Sequence, residues 1–141
     1  MSFGNIYQVS GSAMTAQTVR LNTIASNLAN AESPAVSADA TYKARRPVFA
    51  AIYQNSALVE GGAIAGAKVQ VMDVVETGNA VQRYEPGHPM ANPEGYVYYP
   101  EVNVVEEMAD MMSASRNFET NVEVLNSVKS MQQSLLKLGE V

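Results

Sequence analysis

Cysteine is absent from all 141 residues, which excludes disulfides, thiol nucleophiles and thiolate metal sites. A chain without thiols suits a protein that must stay unlinked until it is used outside the cytoplasm. Histidine occurs once, as His88 in a Pro/Gly loop, whereas a zinc site needs several ligands. No nucleophile-elbow pattern marks a serine. Gly61, Gly62 and Gly66 lack the Lys-Ser/Thr of a P-loop and do not fit a dinucleotide fingerprint. Basic runs are missing beyond the pair Arg45 and Arg46, and the net charge is −5, which disfavours nucleic acid as a partner. No apolar run approaches the roughly 20 residues that span a bilayer. The start, Met1-Ser2-Phe3-Gly4-Asn5, lacks the basic and apolar regions of a cleaved secretory signal. The expectation is a chain without cofactor, metal, catalytic set, membrane span or cleaved signal, and not an enzyme.

What the sequence does contain is a long helical pattern at its end. Residues 103–138 hold no proline and no glycine. Met111, Ser115, Phe118, Val122 and Leu125 follow a 4,3 spacing. Val124, Val128, Met131, Leu135 and Leu138 repeat it one residue out of phase. A stripe of this kind predicts one helix with a drifting apolar seam against a partner. Asn103 can cap its start and Gly139 can end it. Such a helix runs about 54 Å at 1.5 Å per residue. Glu106, Glu107 and Asp110 at its start suit the helix dipole, and the expectation for them is a solvated helix end. Met108, Met111 and Met112 read as adaptable packing.

Residues 1–31 carry a single charge, Arg20. Tyr7, Met14, Leu21 and Leu28 sit seven apart, and Ser10, Gln17, Ile24 and Ala31 fill the alternate heptad position. This predicts a helix over about residues 5–30. A solvated helix normally carries charge on its outer face, so this one is expected to have protein on several sides. Its stripe is weak, and residues 1–31 are expected to be largely disordered in dilute solution and to fold during assembly.

Residues 32–101 hold all six prolines and six of the nine glycines. Strands are expected at residues 47–53 and 69–75, with a flexible connector at 60–66. A turn at 77–79 leads to a return strand at 80–84. Residues 85–95 form a Pro/Gly loop, in which Gly87 is a candidate for a positive φ, and residues 95–100 are extended. The fold expected is mainly α with a small β-rich insert. The long N- and C-terminal helices, residues 1–31 and 102–141, pair as an antiparallel coiled-coil domain, and residues 32–101 form the insert. Two functional classes fit: a structural subunit of a larger assembly, or a secreted helical adaptor that holds a client without catalysis.

Particular runs sharpen this. Leu21-Asn-Thr-Ile-Ala-Ser-Asn-Leu-Ala-Asn30 resembles the N-terminal signature of bacterial flagellar rod and hook proteins. Tyr84-Glu-Pro-Gly-His-Pro-Met-Ala-Asn92, Gly95-Tyr-Val97, Pro100-Glu-Val-Asn103 and Glu107-Met-Ala-Asp-Met111 resemble the proximal-rod members of that axial family. So do Ser113-Ala-Ser-Arg116, Glu119-Thr-Asn-Val-Glu-Val-Leu-Asn126 and Lys129-Ser-Met131. Many axial proteins continue the N-terminal signature into a Thr-Pro-Gly-Tyr-like turn. Residues 30–42 here are longer and lack that Pro-Gly.

The resemblance implies a structural subunit of the proximal rod, polymerised helically into the periplasmic drive shaft of the basal body. It would transmit torque and enclose the export channel. It implies passage through the flagellar type III export apparatus without signal cleavage. The implied partners are copies of itself, other rod subunits and the rod-base adaptor at the membrane ring. The apolar residues expected to pack between helices and subunits are Met14, Leu21, Ile24, Leu28, Met111, Phe118, Val122, Leu125, Val128, Met131, Leu135 and Leu138.

Overall fold

The computed structural model describes residues 3–55 and 64–139. Helix α1 spans Phe3–Asn30 and helix α2 spans Val104–Leu138. Asn103 starts α2 as read from the sequence: its Oδ1 accepts from the N–H groups of Val105 and Glu106 at 3.1 and 3.4 Å. That satisfies two of the donors a helix start leaves open. At the other end the Gly139 N–H donates to the carbonyls of Leu135 and Leu136 at 3.2 and 3.1 Å. Its φ is −87°, so the helix stops without a left-handed cap.

The helices pair antiparallel. Tyr7 donates to Gln132 at 3.1 Å, Arg20 meets Asp110 at 2.9 Å, and Asn27 donates to Glu107 at 3.2 Å. On α2 the positions Glu107, Met111, Ala114, Phe118, Asn121, Leu125, Val128 and Gln132 are buried or half-buried. Their spacing is 4,3 throughout, so the seam against α1 does not drift. Of the out-of-phase stripe only Val128 is buried; Val124, Met131, Leu135 and Leu138 stay exposed. The cause is the polar pairing along the seam. Gln132 is held by Tyr7, which keeps α2 in one phase past the point where its apolar residues change side.

Ser10 and Ile24 on α1, and Ala31 just past its end, are buried at the alternate heptad positions. Ala16, Thr23 and Asn27 are buried as well, because the first pair of strands covers another side of α1. Small side chains let both neighbours approach, which is the packing role expected of this charge-poor helix.

Strands β1 (Ala44–Asn55) and β2 (Ile64–Thr77) form an antiparallel ribbon, longer at both ends than the sequence predicts. Val48 faces Asp73 and Phe49 faces Val71, so Met72 is an extra residue in a bulge. Of the connector expected at residues 60–66, residues 60–63 lie outside the described residues and 64–66 open β2. Strands β3 (Ala80–Tyr84) and β4 (Tyr96–Pro100) form a second antiparallel pair. β3 is therefore not a return strand on β2. One edge of β2 is taken by β1, and on the other the Val69 N–H donates to Ser12 Oγ of α1 at 3.0 Å. Gly78, at φ +98°, turns the chain away, and β4 supplies the partner. Ala35 adds an isolated bridge to the far edge of β4, exchanging bonds of 2.8 and 3.1 Å with Tyr98.

Candidate assembly interface

The N-terminal signature run has a physical centre in Asn27, which is 1% exposed. Its Nδ2 donates to the Arg45 carbonyl at 3.0 Å and to Glu107 Oε2 at 3.2 Å. Its Oδ1 accepts from the Tyr42 hydroxyl at 2.9 Å and the Arg45 N–H at 2.8 Å. Two donors and two lone pairs are all used. One side chain thus ties α1 to α2, to the start of β1 and to the loop before it. Ser26, its neighbour in sequence, shares a 3.1 Å hydrogen bond with Tyr42.

The acids at the start of α2 are more than a solvated helix end. Glu107 is 4% exposed and lies 3.8 Å from Arg46, while Glu106 lies 3.5 Å from the same guanidinium. Asp110 pairs with Arg20, the lone charge of residues 1–31. The Arg45–Arg46 pair is a salt-bridge feature, since Arg45 lies 3.7 Å from Glu76. These acids and bases are far apart in sequence, so only the antiparallel pairing discloses the match.

The residues expected to pack divide into three groups. Ile24 and Val128 are buried in the helix seam. Met14, Leu21, Leu28, Met111, Phe118 and Leu125 are half-buried along it. Val122, Met131, Leu135 and Leu138 are exposed, at 36%, 51%, 55% and 75%. Met131, Leu135 and Leu138 share one side of α2 with Val124 and leave its C-terminal half with an open apolar flank, while Val122 and the exposed Leu136 lie round the helix from it. Burial of small or polar groups at Ser10, Ala16, Thr23, Asn27, Glu107 and Ala114 escapes an apolar-stripe reading. The heptad spacing of Ser10, Ile24 and Ala31 was the one signal for part of it.

In the insert, Val97 and Tyr99 of β4 are buried. The Tyr99 hydroxyl donates to Glu85 Oε2 at 3.1 Å, and the Arg83 guanidinium sits 4.5 Å from the ring centre. Burial raises the Tyr99 phenol above its ordinary value, and the hydrogen bond and charge of Glu85 raise it further, with Arg83 opposing. His88 is half-buried and accepts the Met90 N–H on Nδ1 at 3.1 Å, a local loop contact. Gly87 has no positive φ, and a side chain there would meet nothing within 4 Å. The constrained glycine is Gly95, at φ +86°, where a Cβ would lie 2.9 Å from Tyr84. It closes the loop by donating to Asn92 and accepting from Glu85.

The clefts are shallow. The one between the strand pairs and the start of α2, about 460 Å³, is lined by Arg46, Arg83, Glu101 and Glu106 among others. Among the described residues no three His, Asp or Glu side chains gather as a metal-holding group, and no helix is long and apolar enough to cross a membrane. The open apolar flank of α2 is the candidate interface.

Comparison with known proteins agrees. Residues 8–34 match the family described as "Flagella basal body rod protein". Residues 94–138 match "Flagellar basal body rod FlgEFG protein C-terminal". The flagellar basal-body rod protein FlgC of Escherichia coli O157:H7 is 48% identical over 99% of this chain and all of its own length. FlgC of Salmonella typhimurium is 46% identical over the same shares. FlgC of Bacillus subtilis is 33% identical over 94% of this chain and 95% of its own.

Proposed function

The chain belongs to the FlgC family of flagellar basal-body rod proteins, and from that premise we propose how it serves as a structural rod subunit. The observation that carries the reading is the open apolar flank of α2, Val124, Met131, Leu135 and Leu138, which runs on from the buried seam at Val128. Apolar surface of this kind gains about 25 cal/mol per Å² when it leaves water. In the proximal rod, copies of the chain stack helically. Residues 1–31 and 102–141 form the tube, with the helix pair wound as a coiled coil around the export channel. Residues 32–101 brace neighbouring subunits.

Met14, Leu21, Ile24, Leu28, Met111, Phe118, Leu125 and Val128 hold the helix pair. Val122, Met131, Leu135 and Leu138 meet adjoining subunits. The chain transmits torque in the periplasm, passes through the type III export apparatus without signal cleavage and catalyses nothing. Besides itself it contacts other rod subunits and the rod-base adaptor at the membrane ring. Residues 1–31 reach full order in that setting. The adaptor alternative has no support, since the relatives are rod proteins.

The test is fractionation of a rod-deficient strain complemented with this chain. Recovery of the chain in purified basal bodies, with restored swimming, is expected. A chain that is exported yet absent from those basal bodies overturns the reading.

A further inference from the structure

Among the described residues, the strand pairs leave two backbone edges uncovered. Arg45 turns its N–H and C=O toward Asn27, away from β2. Outward and inward groups alternate along a strand, so Phe49, Ala51 and Tyr53 also point their N–H and C=O groups outward. The outward N–H of Val69, opposite Ala51, agrees with this. None of these β1 groups has a partner among the described residues. Pro47 to Asn55 carries no charge and no glycine. Natural proteins blunt long uncharged edges of this sort or pair them.

The second edge belongs to β3. Tyr98 spends its outer N–H and C=O on Ala35. Its cross-strand neighbour Gln82 therefore points outward from β4, as do Ala80 and Tyr84. These groups too have no partner among the described residues.

Resting on the rod-subunit reading, we propose that the outer edge of β1 in one copy pairs with the outer edge of β3 in the next copy. Pairing of unlike edges runs head to tail and need not close, which is the condition for a helical stack. Pairing of β1 with β1 in antiparallel register would close as a two-fold dimer instead. Each edge offers three outward residues at a spacing of two. Antiparallel alignment of Ala51 with Gln82 sets Phe49 opposite Tyr84 and Tyr53 opposite Ala80. The first of these is an aromatic cross-strand pair, a favourable combination. Phe49 and Tyr84 are 37% and 66% exposed in the single chain. The same alignment brings Arg46 of one copy toward the Glu85 end of β3 in the other, and opposes no like charges.

Because the chain has no cysteine, introduced thiols report the contact without background. Ala51→Cys is combined in turn with Ala80→Cys, Gln82→Cys and Tyr84→Cys, and basal bodies purified from each strain are treated with a short bismaleimide. At least one double variant is expected to give a ladder of chain multimers, with none from the single variants. In parallel, Ala51→Pro removes an outward N–H while sparing the bonds between β1 and β2, and should abolish swimming with export intact; Ala51→Ser should swim. The proposal is overturned if no double variant yields multimers, if Ala51→Cys alone yields dimers, or if Ala51→Cys links to a protein of another mass. Presence of the chain in those basal bodies without multimers defeats the edge pairing and leaves the rod reading standing. Absence of the unsubstituted chain from basal bodies defeats the rod reading itself.

Discussion

Asn27 and Glu107, 80 residues apart in sequence, are joined at 3.2 Å across the helix seam, and both side chains are buried. The carboxylate has Arg46 as its second neighbour at 3.8 Å. The junction gathers α1, α2 and β1 at one point, so the relative placement of helix pair and insert rests on it.

Asn27→Ala strands the Arg45 N–H and C=O and takes from Glu107 its amide donor, while the Tyr42 hydroxyl keeps Ser26. Each buried group so stranded costs about 1–3 kcal/mol, and a total loss of roughly 2–5 kcal/mol is expected. Urea unfolding of the purified chain measures it. Glu107→Gln keeps an acceptor for Asn27 and should cost less than Asn27→Ala; the reverse order would show that the charge, not the hydrogen bond, holds the junction.

Gly95→Ala should be far worse than Gly87→Ala. Gly95 sits at φ +86° with Tyr84 2.9 Å from a new Cβ, and the left-handed backbone alone costs roughly 1–2 kcal/mol for a residue with a side chain. Gly87 meets neither constraint. His88→Asn keeps a polar group beside the Met90 N–H and should leave motility near normal. Thermal melts and soft-agar swimming of the three variants, with a check of export, give the comparison.

Leu125 and Leu135 should separate stability from assembly. Leu125 is half-buried in the seam, so Leu125→Ala lowers the stability of the free chain, within the about 2–5 kcal/mol range of fully packed sites and toward its lower end. Leu135 is 55% exposed, so Leu135→Ala barely alters the melt. Leu135→Asp should nonetheless stop swimming while export continues. Normal swimming of that variant would show the flank to be no interface.

Tyr99 links the insert to pH. Its phenol is raised by burial and by Glu85, so the folded chain holds the proton more tightly than the unfolded one. The associated stability is complete below the ordinary phenol value of about 10 and is lost as the pH climbs through the higher folded value. Ultraviolet titration near 295 nm should show a late-ionising step, and Tyr99→Phe should remove it. A titration unchanged by the substitution would contradict the assignment.

Both helices were legible because their cause is local. Asn103 caps α2, residues 104–138 contain no breaker, and the seven-residue spacing of Ser10, Gln17 and Ile24 marks the inward face of α1. The rod signature was legible for a related reason: Leu21 to Asn30 includes Asn27, whose role demands one amide at one place. What the chain order did not disclose was partnership between distant segments. Strand propensity marks β3 as a strand but not that it pairs with β4 rather than β2. Alternation cannot say which edge is already occupied by Ser12 of α1 or by Ala35. The phase of α2 was decided by contacts such as Tyr7 with Gln132, so an apolar drift that looked like the seam became the open flank. Local residue chemistry determined where elements begin, end and turn an apolar face. Tertiary structure alone decided which polar groups meet, because a buried hydrogen bond depends on positions in space that the sequence distance between Asn27 and Glu107 does not encode.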